Sequence, residues 1–364
     1  MKRIVLFLIL FLSGISCFSQ SDTILKFIFV PHPRTENKVK QTVLPGIEKI
    51  DFSKYDVTLI GGDVTYSTSK DRTSMNYCDS LFHLGSPNTL WSLGNHDVQS
   101  GNRSLLKEYT GRESFYTYSR NNITFMVLDA ELDVHSSSTF ISGNQLQMVK
   151  NVCDTISRSS YLILLHSRLM WMINNEYFKP KMDSIAATSN CLDTTNFYSE
   201  VYPLLQKTAN KGVQVICLGG DKSLINVQCT AEKGITFYTA RMTPTNPDSI
   251  NNVVIFTYNQ QKQTITSDFV ALSRIDDYNK TGLSYQTKKA ITLFQNPSTD
   301  YFQVTGMDGL SMLTLLNING QIIFTKRITD KDQVSLKSLP QGIYIAKIKT
   351  LSGTSCLKIL RRTK

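Results

Sequence analysis

Short apolar runs alternate with amphipathic segments from about residue 23 to residue 272. Most of the runs are rich in β-branched or aromatic side chains, which is typical of buried strands. The six clearest are residues 24–30, 57–60, 90–93, 123–128, 161–165 and 213–218. Between them, residues 145–156 and 199–207 carry apolar positions three and four residues apart, and this spacing predicts helices. The alternation of the two patterns predicts an α/β fold.

A hairpin and two later strands complete the predicted body of the protein. The pair Asn121-Asn122 separates two β-prone runs, residues 115–118 and 123–127, and predicts a tight turn. Further strands are predicted at residues 236–240 and 253–258, before a polar stretch at residues 276–289. We therefore predict one α/β domain over residues 23–275, followed by a linker over residues 276–289. A domain of that size is normal for a layered α/β fold.

The last 75 residues follow a different pattern, with short alternating strands between Gly and Pro turns. Strands are predicted within residues 313–321, 339–348 and 355–360, and together they predict a small β-sandwich over residues 290–364. The order Asn-Pro, Asn-Gly-Gln, Leu-Pro-Gln-Gly-Ile-Tyr and Lys-Ile resembles the C-terminal sorting domain of type IX secretion substrates. The alternative is an ordinary carbohydrate-binding or adhesive sandwich.

The first twenty residues have the pattern of a secretory signal peptide. Lys2 and Arg3 precede an apolar run at residues 4–12, and small and polar residues follow to Gln20. The run is too short for a stable membrane anchor. Lipidation of Cys17 is an alternative that Gly14 disfavours, because a large aliphatic residue is expected there. We expect a protein exported through the periplasm to the cell surface or the medium. Its expected partner is the type IX secretion machinery, and no integral membrane segment is expected.

Charge and cysteine spacing exclude some functions. The chain carries a formal net charge of +10, of which the tail contributes ten Lys and Arg against four Asp and Glu. The high pI therefore belongs to the ends of the chain and does not predict nucleic-acid binding. The six cysteines after the signal peptide contain no CxxC pair, which argues against a zinc knuckle or redox motif. Export permits disulfides, but their pairing stays open, and Cys217 is expected to be a buried thiol.

Four of the predicted strands are followed by residues that can bind a metal ion or a phosphate. They are Asp63 in Gly61-Gly62-Asp63, the run Gly94-Asn95-His96-Asp97, His166 in Leu165-His166-Ser167-Arg168, and Asp221 in Gly219-Gly220-Asp221. Strand ends are where open α/β sheets form their sites. One such Asp is often only a helix cap, and a lone His is usually structural. Four repeats of the pattern favour a functional site.

This set of motifs resembles the calcineurin-like metallophosphoesterases, whose fold would be a two-sheet α/β sandwich. In that family two metal ions share one bridging aspartate, and the resemblance assigns this role to Asp63. Asn95, His166 and Asp221 would complete the shell of the second ion. His96 would face the leaving group as general acid. Arg34 and Arg168 are candidates for holding phosphate oxygens.

The sequence departs from the family at the first ion. Val30 stands where an aspartate is expected in Phe29-Val30-Pro31-His32, and Ser223 stands where a histidine is expected. The first ion would keep only His32 and Asp63, with Glu36 as an alternative ligand. We therefore expect one divalent ion, which would be manganese, iron or zinc, with calcium or magnesium as alternatives.

These observations predict a secreted metal-dependent phosphoesterase. It would hydrolyse phosphate mono- or diesters at a reduced, single-metal site. The alternative is a catalytically impaired surface protein that binds phosphate or metal on the same fold. A purely adhesive protein accounts least well for the strand-end residues. The substrate and the oligomeric state stay open.

Overall fold

The computed structural model describes residues 24–362, except residues 136, 177, 179–193, 231–233, 282–291, 295–296, 306, 308–310, 331 and 351–352. The predicted signal peptide at residues 1–20 lies outside the described residues. Within the described part of the chain, the strands form five sheets.

The body contains fourteen strands and seven α-helices among the described residues. The strands are β1 (Ile24–Val30), β2 (Val57–Ile60), β3 (Thr89–Trp91), β4 (Tyr116–Arg120), β5 (Ile123–Val127), β6 (Val134–His135), β7 (Ser138–Thr139), β8 (Tyr161–His166), β9 (Thr194–Thr195), β10 (Gln214–Gly219), β11 (Val227–Thr230), β12 (Ile235–Thr239), β13 (Asn252–Asn259) and β14 (Thr264–Ala271). The helices are α1 (Pro45–Glu48), α2 (Arg72–Phe82), α3 (Asn95–Val98), α4 (Arg103–Thr110), α5 (Gly143–Thr155), α6 (Tyr202–Asn210) and α7 (Ile275–Thr281).

Two large sheets dominate the body. The first has the order β14-β13-β1-β2-β3, in which β1, β2 and β3 are parallel. The second has the order β11-β12-β10-β8-β5-β4, in which β5, β8, β10 and β12 are parallel. Parallel neighbours end at the same edge of their sheet, so the residues after β2 and β3 are neighbours, as are those after β8 and β10. A small third sheet joins β6, β7 and β9.

The two large sheets share one buried cluster, and helices cover their other faces. Phe27 of β1 meets Phe125 of β5 edge to face, with ring centroids 5.8 Å apart. The alternate residues of β1, such as Val30, face a second cluster that includes side chains of α1, α2, α4 and α7. A third cluster packs α5 and α6 on the second sheet. Both faces of the inner strands, such as β2 and β8, are buried, which explains why the sequence shows continuous apolar runs.

The mixed α/β class and a β-rich C-terminal region are confirmed. β1 and β2 have the predicted limits, and both residues of the predicted turn, Asn121 and Asn122, have positive φ. The predicted helix over residues 199–207 begins as a π-helical turn, Phe197–Val201, and continues as α6.

The predicted linker over residues 276–289 needs correction at its start. Residues up to Thr281 form α7, because Tyr278 is buried in the helix-side core of the first sheet. Its hydroxyl donates to Asp268 Oδ2 at 3.0 Å. Residues 282–289 of the predicted linker lie outside the described residues.

The tail forms two antiparallel sheets around a separate core. Its strands are β15 (Thr292–Phe294), β16 (Tyr301–Thr305), β17 (Ser311–Asn317), β18 (Ile322–Ile328), β19 (Gln333–Ser335), β20 (Gly342–Thr350) and β21 (Gly353–Arg361). They are ordered β15-β16-β19 and β18-β17-β20-β21. Phe302 of the first sheet and Leu315 and Ile348 of the second belong to the same buried cluster.

Cys78, Cys153, Cys217 and Cys356 are free thiols. Cys217 is fully buried in β10, as predicted, and burial raises the pKa of its thiol.

Candidate functional site

The ends of the two large sheets touch through glycine backbone. Gly61 follows β2 in one sheet, and Gly220 follows β10 in the other. A Cβ on Gly220 would lie 1.9 Å from the Gly61 carbonyl oxygen, and a Cβ on Gly61 would lie 2.6 Å from Gly220 Cα. Neither position has room for a side chain. This contact brings Asp63 and Asp221, which follow the two glycines, to one edge of the body.

Asp63 is the centre of this edge. Its backbone is in the left-handed region, with φ of 50°, and it follows Gly62 at φ of 104°. Its Oδ1 accepts a hydrogen bond from the backbone N–H of His96 at 2.9 Å, and its Oδ2 lies 3.5 Å from His32 Nδ1. Burial, followed by the charges of Asp97 and Asp221, raises the pKa of Asp63 well above its usual value. The carboxylates of the edge therefore repel one another.

His96 and Asn95 lie at the start of α3, next to Asp63. Asn95 is exposed. His96 is half-buried, and its Nδ1 lies 2.6 Å from the carbonyl oxygen of Tyr66. Because a carbonyl only accepts, Nδ1 carries the proton and Nε2 is the unprotonated nitrogen. Burial, followed by the positive charges of Arg34 and Lys222, lowers the pKa of His96.

His166 lies at the end of β8 and is fully buried. Its Nδ1 is bonded to the backbone carbonyl of Arg168, so the lone pair of the ring is on Nε2. Nε2 is buried and has no hydrogen-bond partner in the structure. Burial lowers the pKa of His166 to about 4, which keeps the ring neutral. A neutral imidazole with one nitrogen fixed by a backbone carbonyl is the form that binds metals.

Asp221 and Arg168 lie at the same edge, each with a partner of its own. Asp221 Oδ1 accepts from the backbone N–H of Lys222 at 2.6 Å, and burial raises the pKa of Asp221 to about 6. Arg168 is buried, and two of its nitrogens donate to the carboxylate of Glu131 at 2.5 and 2.7 Å. The guanidinium that the sequence assigns to substrate thus forms a forked salt bridge with a neighbouring acid.

Arg34 is also buried, with 3% of its surface exposed. Its Nε donates to His32 Nε2 at 3.1 Å and lies 3.9 Å from Asp63 Oδ2. A second nitrogen donates to Glu36 at 3.0 Å, and Glu36 also accepts from Lys222 Nζ at 3.1 Å. Glu36 is thus engaged by two cations and makes no described bond to His32 or Asp63.

Asp97 is a residue whose role the sequence did not indicate. It is fully buried, and its carboxylate accepts five hydrogen bonds. The donors are the backbone N–H groups of Asp63 at 2.8 Å, Gly94 at 2.8 Å and Val64 at 2.9 Å, Thr68 Oγ1 at 2.5 Å and Trp91 Nε1 at 3.3 Å. Burial raises the pKa of Asp97 to about 6, although the hydrogen bonds to its carboxylate act to lower it. One side chain thus fixes the loops after β2 and β3. Its place three residues after the Gly94 cap is the only sequence signal for this.

The two halves of the expected metal site differ in their fit to an ion. In the first half the His32 lone pair is taken by Arg34. Val30 faces the apolar core, and the Ser223 hydroxyl donates to the Ile225 carbonyl, so neither replaces the missing ligands. That half does not fit an ion.

The second half offers suitable donors in His166 Nε2 and the Asp63 and Asp221 carboxylates. Among the described residues, however, no group of three or more His, Cys, Asp or Glu side chains has the spacing that holds a metal ion. The second half is therefore not preassembled.

Comparison with known proteins identifies the tail. Residues 292–361 match the family described as the Secretion system C-terminal sorting domain. The prediction of a type IX sorting domain is confirmed, and this domain indicates export to the cell surface or secretion through the type IX machinery. Comparison with curated proteins gives no match. In the described part of the chain, every helix is too short or too polar to cross a membrane.

Two solved structures have slight similarity to the chain. One is PorZ, a surface component of the type IX secretion system of Porphyromonas gingivalis. It is 8% identical with a TM-score of 0.19, and the match covers 38% of this chain and 25% of PorZ. The other is an engineered protein, 12% identical with a TM-score of 0.16, and the match covers 82% of this chain and 59% of that protein. At these TM-scores neither structure supports a conclusion about the body.

Proposed function

We propose that this chain is an exported metal-dependent phosphoesterase, with a calcineurin-like metallophosphoesterase body and a site for one divalent ion. The observation that carries the proposal is the buried lone pair of His166 Nε2, which has no partner. A buried acceptor without a partner costs about 1–3 kcal/mol. A metal ion bound to Nε2 would remove that cost. The two sheets that share a core, with polar residues at their adjoining ends, are consistent with the proposed architecture.

The charge of the edge also favours a cation. Its acids outnumber its bases, with Asp63, Asp97, Asp221, Glu36 and Glu131 against Arg34, Lys222 and Arg168. Burial raises the pKa of both Asp63 and Asp221, and at Asp63 the charges of Asp97 and Asp221 raise it further. A divalent ion would offset this repulsion and make the edge attractive to a phosphate group.

The residues proposed to hold the ion are Asp63, Asn95, His166 and Asp221. When bound, the ion would supply a Lewis acid to the phosphoryl oxygen and a more acidic water. His96 would act on the leaving group. Its Nδ1–H is fixed on the Tyr66 carbonyl, so Nε2 would first take up a proton from water to form the imidazolium and would then pass that proton to the leaving oxygen.

A second candidate function is an exported protein that binds a phosphate-bearing ligand or a metal without turnover. The observation that favours it is the Arg34 guanidinium between His32 and Asp63, where a two-ion enzyme would need an open metal position. The two candidates predict the same fold and export route. They differ in metal stoichiometry and in catalysis.

Elemental analysis and an activity panel separate the candidates. The purified chain is dialysed against manganese, iron(II) or zinc, its bound metal is counted, and it is assayed on phosphate mono- and diesters. We expect about one ion per chain and hydrolysis of at least one ester class. Asp63→Asn and His166→Gln should lose both, whereas the exposed His135→Gln is the matched control. Metal binding without hydrolysis would favour the second candidate, and no metal binding would refute the enzyme proposal.

A further inference from the structure

We propose that Arg34 is an internal cation that occupies the position between His32 and Asp63 and so limits the site to a single metal ion. Three side chains meet at this point. Arg34 Nε lies 3.1 Å from His32 Nε2 and 3.9 Å from Asp63 Oδ2, and His32 Nδ1 lies 3.5 Å from the same oxygen. An imidazole lone pair and a carboxylate oxygen that face one point are a usual pair of metal ligands. Here that point holds a guanidinium nitrogen.

The protonation states follow from the chemistry of arginine. A guanidinium in a protein stays charged and only donates hydrogen bonds. His32 Nε2 must therefore accept, and the ring proton is on Nδ1, which faces Asp63. Burial, followed by the charge of Arg34, lowers the pKa of His32 well below its usual value and keeps the ring neutral. The lone pair that would bind an ion is thus committed to Arg34.

Arg34 is held in this position by its other contacts. A second nitrogen donates to Glu36, and the guanidinium carbon lies 5.3 Å from the centroid of the Tyr66 ring. The side chain is buried, so it cannot turn to solvent without breaking these contacts. Its permanent charge acts in a site of low effective dielectric, where it opposes any cation nearby.

The proposal extends the proposed single-ion site by naming what excludes the second ion. The test compares Arg34→Met, which keeps much of the volume and removes the charge, with Arg34→Lys, which keeps the charge. Mn²⁺ binding to the purified full-length chain is measured by equilibrium dialysis. We expect Arg34→Met to bind Mn²⁺ about tenfold or more tightly than the wild type, or to bind one more ion. Arg34→Lys should stay within about twofold of the wild type.

Different outcomes refute this proposal and the proposed function. If the wild type binds an ion and Arg34→Met neither binds it more tightly nor binds a second ion, or if Arg34→Lys shows the same gain, the role of Arg34 is refuted and the single-ion site stands. If the wild type binds no ion and Arg34→Met does, the role of Arg34 stands and the proposed function fails. If neither protein binds Mn²⁺, both are refuted. Thermal melting of each variant verifies that it is folded.

A second measurement uses the unmodified protein, in case Arg34→Met does not fold. In protein labelled with ¹⁵N at arginine Nε, the Arg34 Nε–H bonded to His32 should give a slowly exchanging NMR signal. We expect this signal to persist when Zn²⁺ or Mg²⁺ is added to saturation. Its loss on addition of the ion would mean that a metal displaces Arg34 from His32, and that result would overturn the proposal.

Discussion

Replacement of Asp97 by alanine should strongly destabilise the body of the protein. The Asp97 carboxylate accepts the backbone N–H groups of Asp63, Val64 and Gly94 at 2.8–2.9 Å, together with two side-chain donors. Alanine would leave these donors without an acceptor in a fully buried place.

The magnitude follows from the three backbone donors alone. A buried donor left unpaired costs about 1–3 kcal/mol. Three of them give roughly 3–9 kcal/mol, and relaxation of the two loops and entry of water should place the observed loss near 3–6 kcal/mol. That is a large part of the 5–15 kcal/mol that is typical of a folded domain. Asp97→Asn should cost about half as much, because one oxygen becomes a donor that faces other donors.

Urea unfolding followed by tryptophan fluorescence measures this loss. The chain has two tryptophans, Trp91 and Trp171, and both are buried in the body, so the signal reports the body and not the tail. The matched control is Asp154→Asn, which removes an exposed salt bridge to Lys207 and should leave the urea midpoint close to that of the wild type. If the midpoint of Asp97→Ala fell within the range of this control, the five-bond arrangement would be wrong.

Three further predictions concern the sheet contact, the last helix and the tail. Gly220→Ala should destabilise the body by several kcal/mol or prevent its folding, because the new Cβ would lie 1.9 Å from the Gly61 carbonyl oxygen. If this variant were as stable as the wild type in the same urea titration, the contact would be wrong. Tyr278→Phe should lower the free energy of unfolding by about 1 kcal/mol through loss of the bond to Asp268, whereas an unchanged midpoint would mean that this bond does not stabilise the body. Removal of residues 290–364 should retain the protein in the periplasm, as measured by cell fractionation, and its appearance at the cell surface would count against the sorting role of the tail.

Most strands of the body could be predicted, and the inner strands most clearly, because both of their faces are buried. That burial leaves unbroken apolar runs, which is why β1 and β2 have their predicted limits. It could also be predicted that the candidate residues lie near one another, because parallel strands end at the same edge of a sheet. His166 ends β8 and Asp221 follows the adjacent strand β10, and the glycine contact brings Asp221 to Asp63.

The roles of Asp97 and Arg34 could not be predicted because they depend on contacts between distant loops. From the sequence alone, an acidic residue in a polar run can face solvent or accept hydrogen bonds from backbone N–H groups. Asp97 accepts such bonds because the loop after β2 packs against the loop after β3. Arg34 is similar, since its position depends on His32 and Asp63 together. The last helix could not be predicted because most of its residues are polar, and it joins the core through Ile275 and Tyr278.

The contact between Gly61 and Gly220 has a consequence for the order of folding. The two glycines lie at the ends of different sheets and are far apart in sequence, so their meeting closes a long loop, which costs entropy and slows folding. Asp63 and Asp221 reach one another only after both sheets have formed and docked. A partly folded or half-synthesised chain therefore has no site, and any metal ion would be acquired by the finished body.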